Sequence, residues 1–151
     1  MTVGFEPDEI ALDAPTRAAR LKWVVVLDAA LPAGRAANAA ICVAAATADR
    51  VAGLLGPDAE DPDGAAHPGL PWAGCSVLGG TAEQLAELRR RASGSDDVFV
   101  ADMPTAAQAT RVYADYLEQV RIDGADPLLA VSLVGPKNRV DRLTKGLDLL
   151  A

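Results

Sequence analysis

Few side chains in this sequence have the chemistry to act on a ligand, and most of them fall where an apolar run gives way to a turn. Asp102 directly follows Val98-Phe99-Val100-Ala101. A carboxylate there can accept a proton or orient a water molecule. It can equally be a polar strand end beside a helix N-terminus, where an anion is favoured without any chemistry. Asn38 stands one turn before Ile41, on what reads as the inward stripe of an alanine-rich helix. A buried amide needs partners, so it either binds a ligand or ties down a neighbouring loop. Gly34 and Arg35 occupy a strand-to-helix turn, where backbone N–H groups can hold an anion. His67, the only histidine, lies in His67-Pro68-Gly69. It has no second histidine, and no cysteine, at a metal-ligand spacing. Gly135-Pro136-Lys137 ends the last apolar run and offers an amine. The expected site is therefore Asp102 as the catalytic carboxylate, with Gly34, Arg35, Asn38, His67 and Lys137 as ligand-binding partners.

Other chemistry finds no support in the residue pattern. There is no glycine-rich dinucleotide pattern or phosphate-binding loop and no nucleophile elbow. Cys42 and Cys75 are too few for a disulfide framework or a metal site. Their small apolar neighbours predict buried free thiols. No metal or cofactor is expected. Arg89-Arg90-Arg91 ends a helix, where the dipole favours cations, and it lacks the aromatic neighbours of a nucleic-acid surface. With 21 acidic and 14 basic residues the chain carries a formal charge of −7. That charge disfavours phosphate backbones and anionic lipid. The N-terminus has no basic leader, and Ala36 to Ala48 is too short to span a bilayer. A cytoplasmic location is expected.

The elements that must carry these residues alternate. Residues 1–15 read as a flexible tail, interrupted by Pro7 and Pro15, ahead of one α/β domain over 16–151. Trp23 to Leu27 is a short β-branched run, hence a buried strand. A helix runs on from Arg35 to Leu55, with Ile41, Ala44, Ala45, Ala48, Ala52 and Leu55 as its apolar stripe. Gly56 to Ala73 is a long loop with four prolines, the kind of segment that often carries function. Gly74 to Leu78 is the second strand. Thr81-Ala82-Glu83-Gln84 is a capping-box pattern opening the second helix, to about Ala92. The third strand ends at Asp102, and Thr105-Ala106-Ala107-Gln108 repeats the capping pattern. The helix it opens is expected to bury Ala109, Val112, Tyr113, Tyr116, Leu117 and Val120. Leu128 to Val134 is a fourth strand, and a short helix runs from Asn138 to Lys145. This alternation predicts a largely parallel sheet with helices on its faces, and a ligand site at the strand ends.

The turn and first helix, Leu31-Pro32-x-Gly34-x-x-x-Asn38-Ala39-Ala40, resemble those of a bacterial family called domain of unknown function 2000. So do His67-Pro68-Gly69, Asp102 with Ala106-Ala107-Gln108, and the ending from Gly135-Pro136-Lys137 to Leu149-Leu150. That family is similar in fold to the type 2 peptidyl-tRNA hydrolases. The resemblance implies a three-layer α/β/α sandwich on a four-stranded, mostly parallel mixed sheet whose last strand is antiparallel. The hydrolases' first-helix pattern of two lysines and a histidine falls on Arg35, Ala37 and Ala44, and their acid after the third strand on Asp102. One main catalytic position is kept and two are lost. The resemblance therefore implies a domain that binds a small molecule or a protein partner. A divergent hydrolase using Asp102 to position water is the alternative. It also implies a homodimer, to which the apolar Leu147 to Leu150 would contribute.

Overall fold

In a computed structural model describing residues 2–151, the apolar run at Trp23 lies in the central strand β1 (Leu21–Asp28). Next in chain order are α1 (Ala33–Arg50), β2 (Ala59–Glu60), β3 (Ala66–His67), β4 (Ser76–Gly80) and α2 (Ala82–Ser93). Then come β5 (Phe99–Pro104), α3 (Ala106–Ala109), α4 (Tyr113–Asp123), β6 (Leu128–Pro136), α5 (Lys137–Leu143) and β7 (Asp148–Leu149). The main sheet has five strands in the order β5-β6-β1-β4-β7. It is mixed: β1 pairs parallel with β4, while β6 is antiparallel to both β1 and β5 and β7 is antiparallel to β4. The expected mixed sheet, with the strand over Leu128 antiparallel, is present, but the count of four strands is corrected to five. β6 lies antiparallel between β1 and β5, which share one direction, and the fifth strand, β7, has two residues, too short to show a period of two.

Side chains alternate across the sheet. Trp23, Val25 and Leu27 pack with Ala39 and Val43 of α1 on one face. Val24 and Val26 pack with Leu85 and Leu88 of α2 and Val140 of α5 on the other. Helices therefore cover both faces. The α1 face holds a buried polar cluster: Trp23 Nε1 donates to Ser132 Oγ at 2.8 Å, which is 2.7 Å from Thr47 Oγ1. Thr47 in turn donates to the Val43 carbonyl. Each of these three buried side chains has a partner, as burial requires.

Thr47 also corrects the phase of α1. Its buried positions are Ala39, Val43 and Thr47, whereas Ile41 is 66% exposed. With alanines on every side, the apolar stripe has no sharp edge in the sequence, and a buried threonine does not advertise itself. Asn38 consequently lies on the exposed flank, not the inward stripe. Cys42 and Cys75 are likewise exposed rather than buried.

Three segments behave differently from their appearance in the sequence. Within residues 2–15, Phe5 is buried against Trp72, ring centroids 4.8 Å apart, and its N–H donates to the Ala52 carbonyl. Arg20 clamps Glu9 and the Gly4 carbonyl, and the Glu9 carboxyl is drawn down to about 2, by Arg20 first and the Glu6 N–H second. The 56–73 loop contains the β2–β3 hairpin and returns to the body where Leu55 bridges Pro71. The helix expected after Thr105 breaks into α3 and α4 at Thr110-Arg111-Val112, and α4 buries none of its residues.

Candidate functional site

β5 is an edge strand, and its alternation decides where Asp102 points. Phe99 and Met103 belong to the α1-side cluster, while Val100 packs on the α2 side. Asp102 shares the parity of Val100. On that face Arg89 of α2 donates to its Oδ2 at 3.0 Å, and the Asp102 side chain keeps 18% of its exposure. Asn38 projects from α1, on the opposite face. The two residues nevertheless line one cleft of about 670 Å³, at the free edge of β5 between α1 and α4. They make no hydrogen bond with each other.

Asn38 has a different partner. Gln108 of α3 donates from Nε2 to Asn38 Oδ1 at 3.1 Å and to the Arg35 carbonyl at 3.0 Å. Arg35 Nε donates back to Gln108 Oε1 at 2.8 Å. One amide thus staples the first turns of α1 to α3. A second, shallower cleft of about 520 Å³ lies over this staple, lined by Gly34, Arg35, Asn38 and Gln108 among others. Asn38 and Ala107 line both clefts, so the two form one continuous surface. A Cβ on Gly34 would meet nothing within 4 Å, so no steric reason demands glycine there. The α1 N-terminus has Pro32 at its cap and no side-chain acceptor, which leaves its first backbone N–H groups open to solvent or an anion.

His67 and Lys137 lie elsewhere. His67 sits on the β2–β3 hairpin with Nε2 3.3 Å from Asp61 Oδ2, and that hairpin hangs from the C-terminal end of α1. Lys137 comes directly after β6, whose Pro136 is registered on Leu21 at the start of β1. That is the rim opposite Asp102, which is registered on Val131. The Lys137 ammonium contacts the Arg17 carbonyl, and the Lys137 backbone N–H donates to the Arg20 carbonyl. Because β6 runs antiparallel, its C-terminal turn comes out at the bottom of the sheet. Of the six expected positions, the structure gathers Gly34, Arg35, Asn38 and Asp102, and separates His67 and Lys137 from them.

The larger cleft has a wall that the sequence pattern concealed. Arg111, Val112, Tyr113 and Tyr116 line it from the α3–α4 break, and Cys42, Ala45 and Ala46 from α1. The two tyrosines meet edge to face with centroids 5.4 Å apart. The pKa of Tyr116 is raised, by loss of water first and then by Tyr113 and the negative charge of Asp102. Its hydroxyl therefore stays protonated as a neutral donor near pH 7. Among the described residues no carboxylate pairs with Arg111. In the sequence, Val112, Tyr113 and Tyr116 read as part of the buried stripe of one long helix, and Arg111 is not singled out. A usable signal was that both of the chain's tyrosines fall within four residues of each other.

The other rim cleft differs in kind. About 810 Å³ opens at the ends of β1 and β4, bordered by Asp28, Gly80, Thr81 and the C-terminal segment. Its polar groups are spent locally: Asp28 Oδ1 accepts from the Ala30 N–H and Thr81 caps α2. A Cβ on Gly79 would lie 3.1 Å from the Leu150 side chain, so the glycine there makes room for the chain's own end. No group of three or more histidine, cysteine or acidic side chains among the described residues is placed to hold a metal. No helix among them is long and apolar enough to cross a membrane.

Residues 21–151 match the model of a family described as a protein of unknown function, DUF2000. Among solved structures, a protein of unknown function from Agrobacterium tumefaciens is similar, with a TM-score of 0.77 at 20% identity. That likeness covers 87% of this chain and 98% of the other, and at this identity it speaks for the fold alone. No protein of curated function matches the chain.

Proposed function

Given that the chain belongs to the DUF2000 family of proteins of unknown function, we propose that it is a cytoplasmic binding domain whose site is the cleft at the β5 edge. On this proposal its fold is of the type 2 peptidyl-tRNA hydrolase kind, without that catalytic set. The carrying observation is that the reactive-looking groups are already engaged with one another while the cleft stays open. Asp102 is held by Arg89, and Arg35 and Asn38 are held by Gln108. A general base must reach the proton it abstracts, and a carboxylate paired to a guanidinium on the far face of the edge strand is poorly placed to serve the Asn38 side. An ester hydrolase also needs donors for the developing oxyanion, and losing one such donor costs on the order of 100- to 1,000-fold. The hydrolases' first-helix positions are Arg35, Ala37 and Ala44 here, and the two alanines supply neither charge nor a proton.

The test is release of free tRNA from peptidyl-tRNA at low salt. No turnover above the uncatalysed rate is expected. Turnover that disappears in both Asp102→Ala and Arg35→Ala would replace the binding role by the divergent-hydrolase alternative. We also propose a homodimer, supported by the exposed apolar residues Leu149 and Leu150 at the C-terminal segment, away from the cleft. Light scattering at micromolar concentration should give twice the chain mass of 15.6 kDa; a clean monomer mass would remove that part.

A further inference from the structure

Resting on the binding role proposed above, we infer that the α1–β5–α4 cleft takes a small aromatic carboxylate, with its anionic head on Arg111 and Asn38 and its ring on the Tyr113–Tyr116 wall. Three features of the cleft select this class.

The first is charge. Arg111 and Asp102 are the ionised groups among the lining residues. Asp102 is paired at 3.0 Å with Arg89, which balances its charge at the edge of the cleft. Arg111 has no carboxylate partner among the described residues, although the chain as a whole carries seven more acids than bases. An unpaired guanidinium and a primary amide lining one cleft supply N–H donors suited to a carboxylate. Tyr116, kept protonated, adds a neutral hydroxyl rather than a competing anion.

The second is the apolar wall. Aromatic residues make up only 4% of this chain, yet both tyrosines line this one cleft. Tyr113 is 73% exposed, so beyond its edge contact with Tyr116 its surface is open. Ala45, Ala46 and Met103 supply low, flat or pliable apolar surface from α1 and β5. A slot between alanines and a pair of aromatic rings suits a planar ligand, which can stack or set its edge against a ring at roughly 4.5–7 Å.

The third is size. A volume of about 670 Å³ lies within the roughly 300–1,000 Å³ of small-molecule sites. It is large enough for a one- or two-ring acid.

The experiment is calorimetric titration of the full chain with indole-3-acetate, indole-3-acetamide, acetate and inorganic phosphate. Indole-3-acetate is expected to bind roughly tenfold or more tighter than its uncharged amide, the scale of one charge-assisted contact. Acetate and phosphate, lacking a ring, should give no measurable heat. Arg111→Gln should weaken indole-3-acetate roughly tenfold, and Arg111→Lys should restore part of it. Arg50→Gln, at the far end of α1, should change nothing. Unchanged melting temperatures will show that these surface variants fold. Equal affinity for acid and amide, indifference to Arg111→Gln, or no binding of indole-3-acetate would each overturn the assignment. A neutral compound whose binding is abolished by Ala46→Trp would sink the ligand class and leave the binding role standing. Peptidyl-tRNA turnover lost in Asp102→Ala would remove the binding role itself.

Discussion

Two helices of this chain open on nearly the same four residues, Thr81-Ala82-Glu83-Gln84 and Thr105-Ala106-Ala107-Gln108, and the structure uses them in opposite ways. At α2 the box closes: Thr81 Oγ1 accepts from the Gln84 N–H at 3.1 Å, and Gln84 Oε1 accepts from the Thr81 N–H at 2.9 Å. At α3 Thr105 itself has helical dihedrals, φ −54° and ψ −34°, so it cannot stand outside the helix as a cap. Its hydroxyl donates instead to the Pro127 carbonyl at 2.7 Å, and Gln108 crosses to Arg35 and Asn38. The two helices differ accordingly. α2 runs twelve residues and buries Leu85, Leu88 and Ala92, while α3 stops after four. A capping pattern therefore states only that a helix can begin. Whether its glutamine is spent on the helix or on a neighbour depends on the groups across from it.

The largest test of this contrast concerns the helices beyond the caps. Leu85 is fully buried, whereas Leu117 of α4 is 54% exposed. Leu85→Ala should cost about 2–5 kcal/mol through lost burial and the cavity left behind. At roughly 2–4 °C per kcal/mol for a domain near this size, the melting temperature should fall by about 4–20 °C. Leu117→Ala should stay within about 0.5 kcal/mol. Comparable losses in calorimetry would mean that α4 is packed as a core helix, contrary to its exposure. Loss from Leu117→Ala that depends on protein concentration would instead point to a covered face in an oligomer.

A smaller effect separates the caps themselves. Thr81→Ala removes the acceptor for the Gln84 N–H and should cost about 1 kcal/mol. Thr81→Ser keeps the oxygen and should recover most of it. Urea midpoints compare the two directly, and a Thr81→Ala midpoint indistinguishable from the parent would mean that the box contributes nothing.

The same contrast separates the legible parts of the sequence from the hidden ones. The helix-strand alternation, the boundaries of α2 and the apolar strands β1 and β6 can all be read from periodicity, because each is long or strongly β-branched. The five-strand count cannot be, since Asp148-Leu149 is a strand only because β4 leaves an edge for it. At the site, Gly34, Arg35 and Asn38 are legible from their places in the first turns of α1, whereas Asp102, read as a strand end, lies within β5, which runs on to Pro104. Lys137 is expected at the site from its place after an apolar strand, and the antiparallel course of β6 carries it to the other rim. Arg111, Tyr113 and Tyr116 are hidden because a helix broken at Thr110-Arg111-Val112 has the same apolar spacing as a continuous one. Asn38 is placed inward by the sequence because alanine gives α1 no polar face to set its phase.

The finest test falls on Gln108 itself. If its amide serves α1 rather than its own helix, Gln108→Ala removes a bridge between exposed groups and no cap. Arg35 and Asn38 are both accessible to solvent, so water can replace the bonds they lose, and the global stability should move by less than about 0.5 kcal/mol. The local consequence should be larger. α3 is four residues long, and its N–H groups at Gln108, Ala109 and Thr110 bond only to Thr105 and Ala106 within the same turn. So short a helix is marginal without tertiary support, and the Gln108 side chain is its hydrogen-bonded link to α1. Amide exchange at Ala109 and Thr110 should therefore speed up by about fivefold, the equivalent of roughly 1 kcal/mol in local opening. The amides of α2 should be unaffected. Gln108→Glu makes the same comparison by charge: its carboxylate can accept from Arg35 but cannot donate to Asn38 Oδ1 or the Arg35 carbonyl, so protection should be partly kept. Nuclear magnetic resonance exchange on the three proteins resolves the two helices residue by residue. Faster exchange throughout α2 as well, or a global loss above about 1 kcal/mol, would mean that Gln108 supports the whole domain and that the two capping patterns are more alike than their geometry indicates.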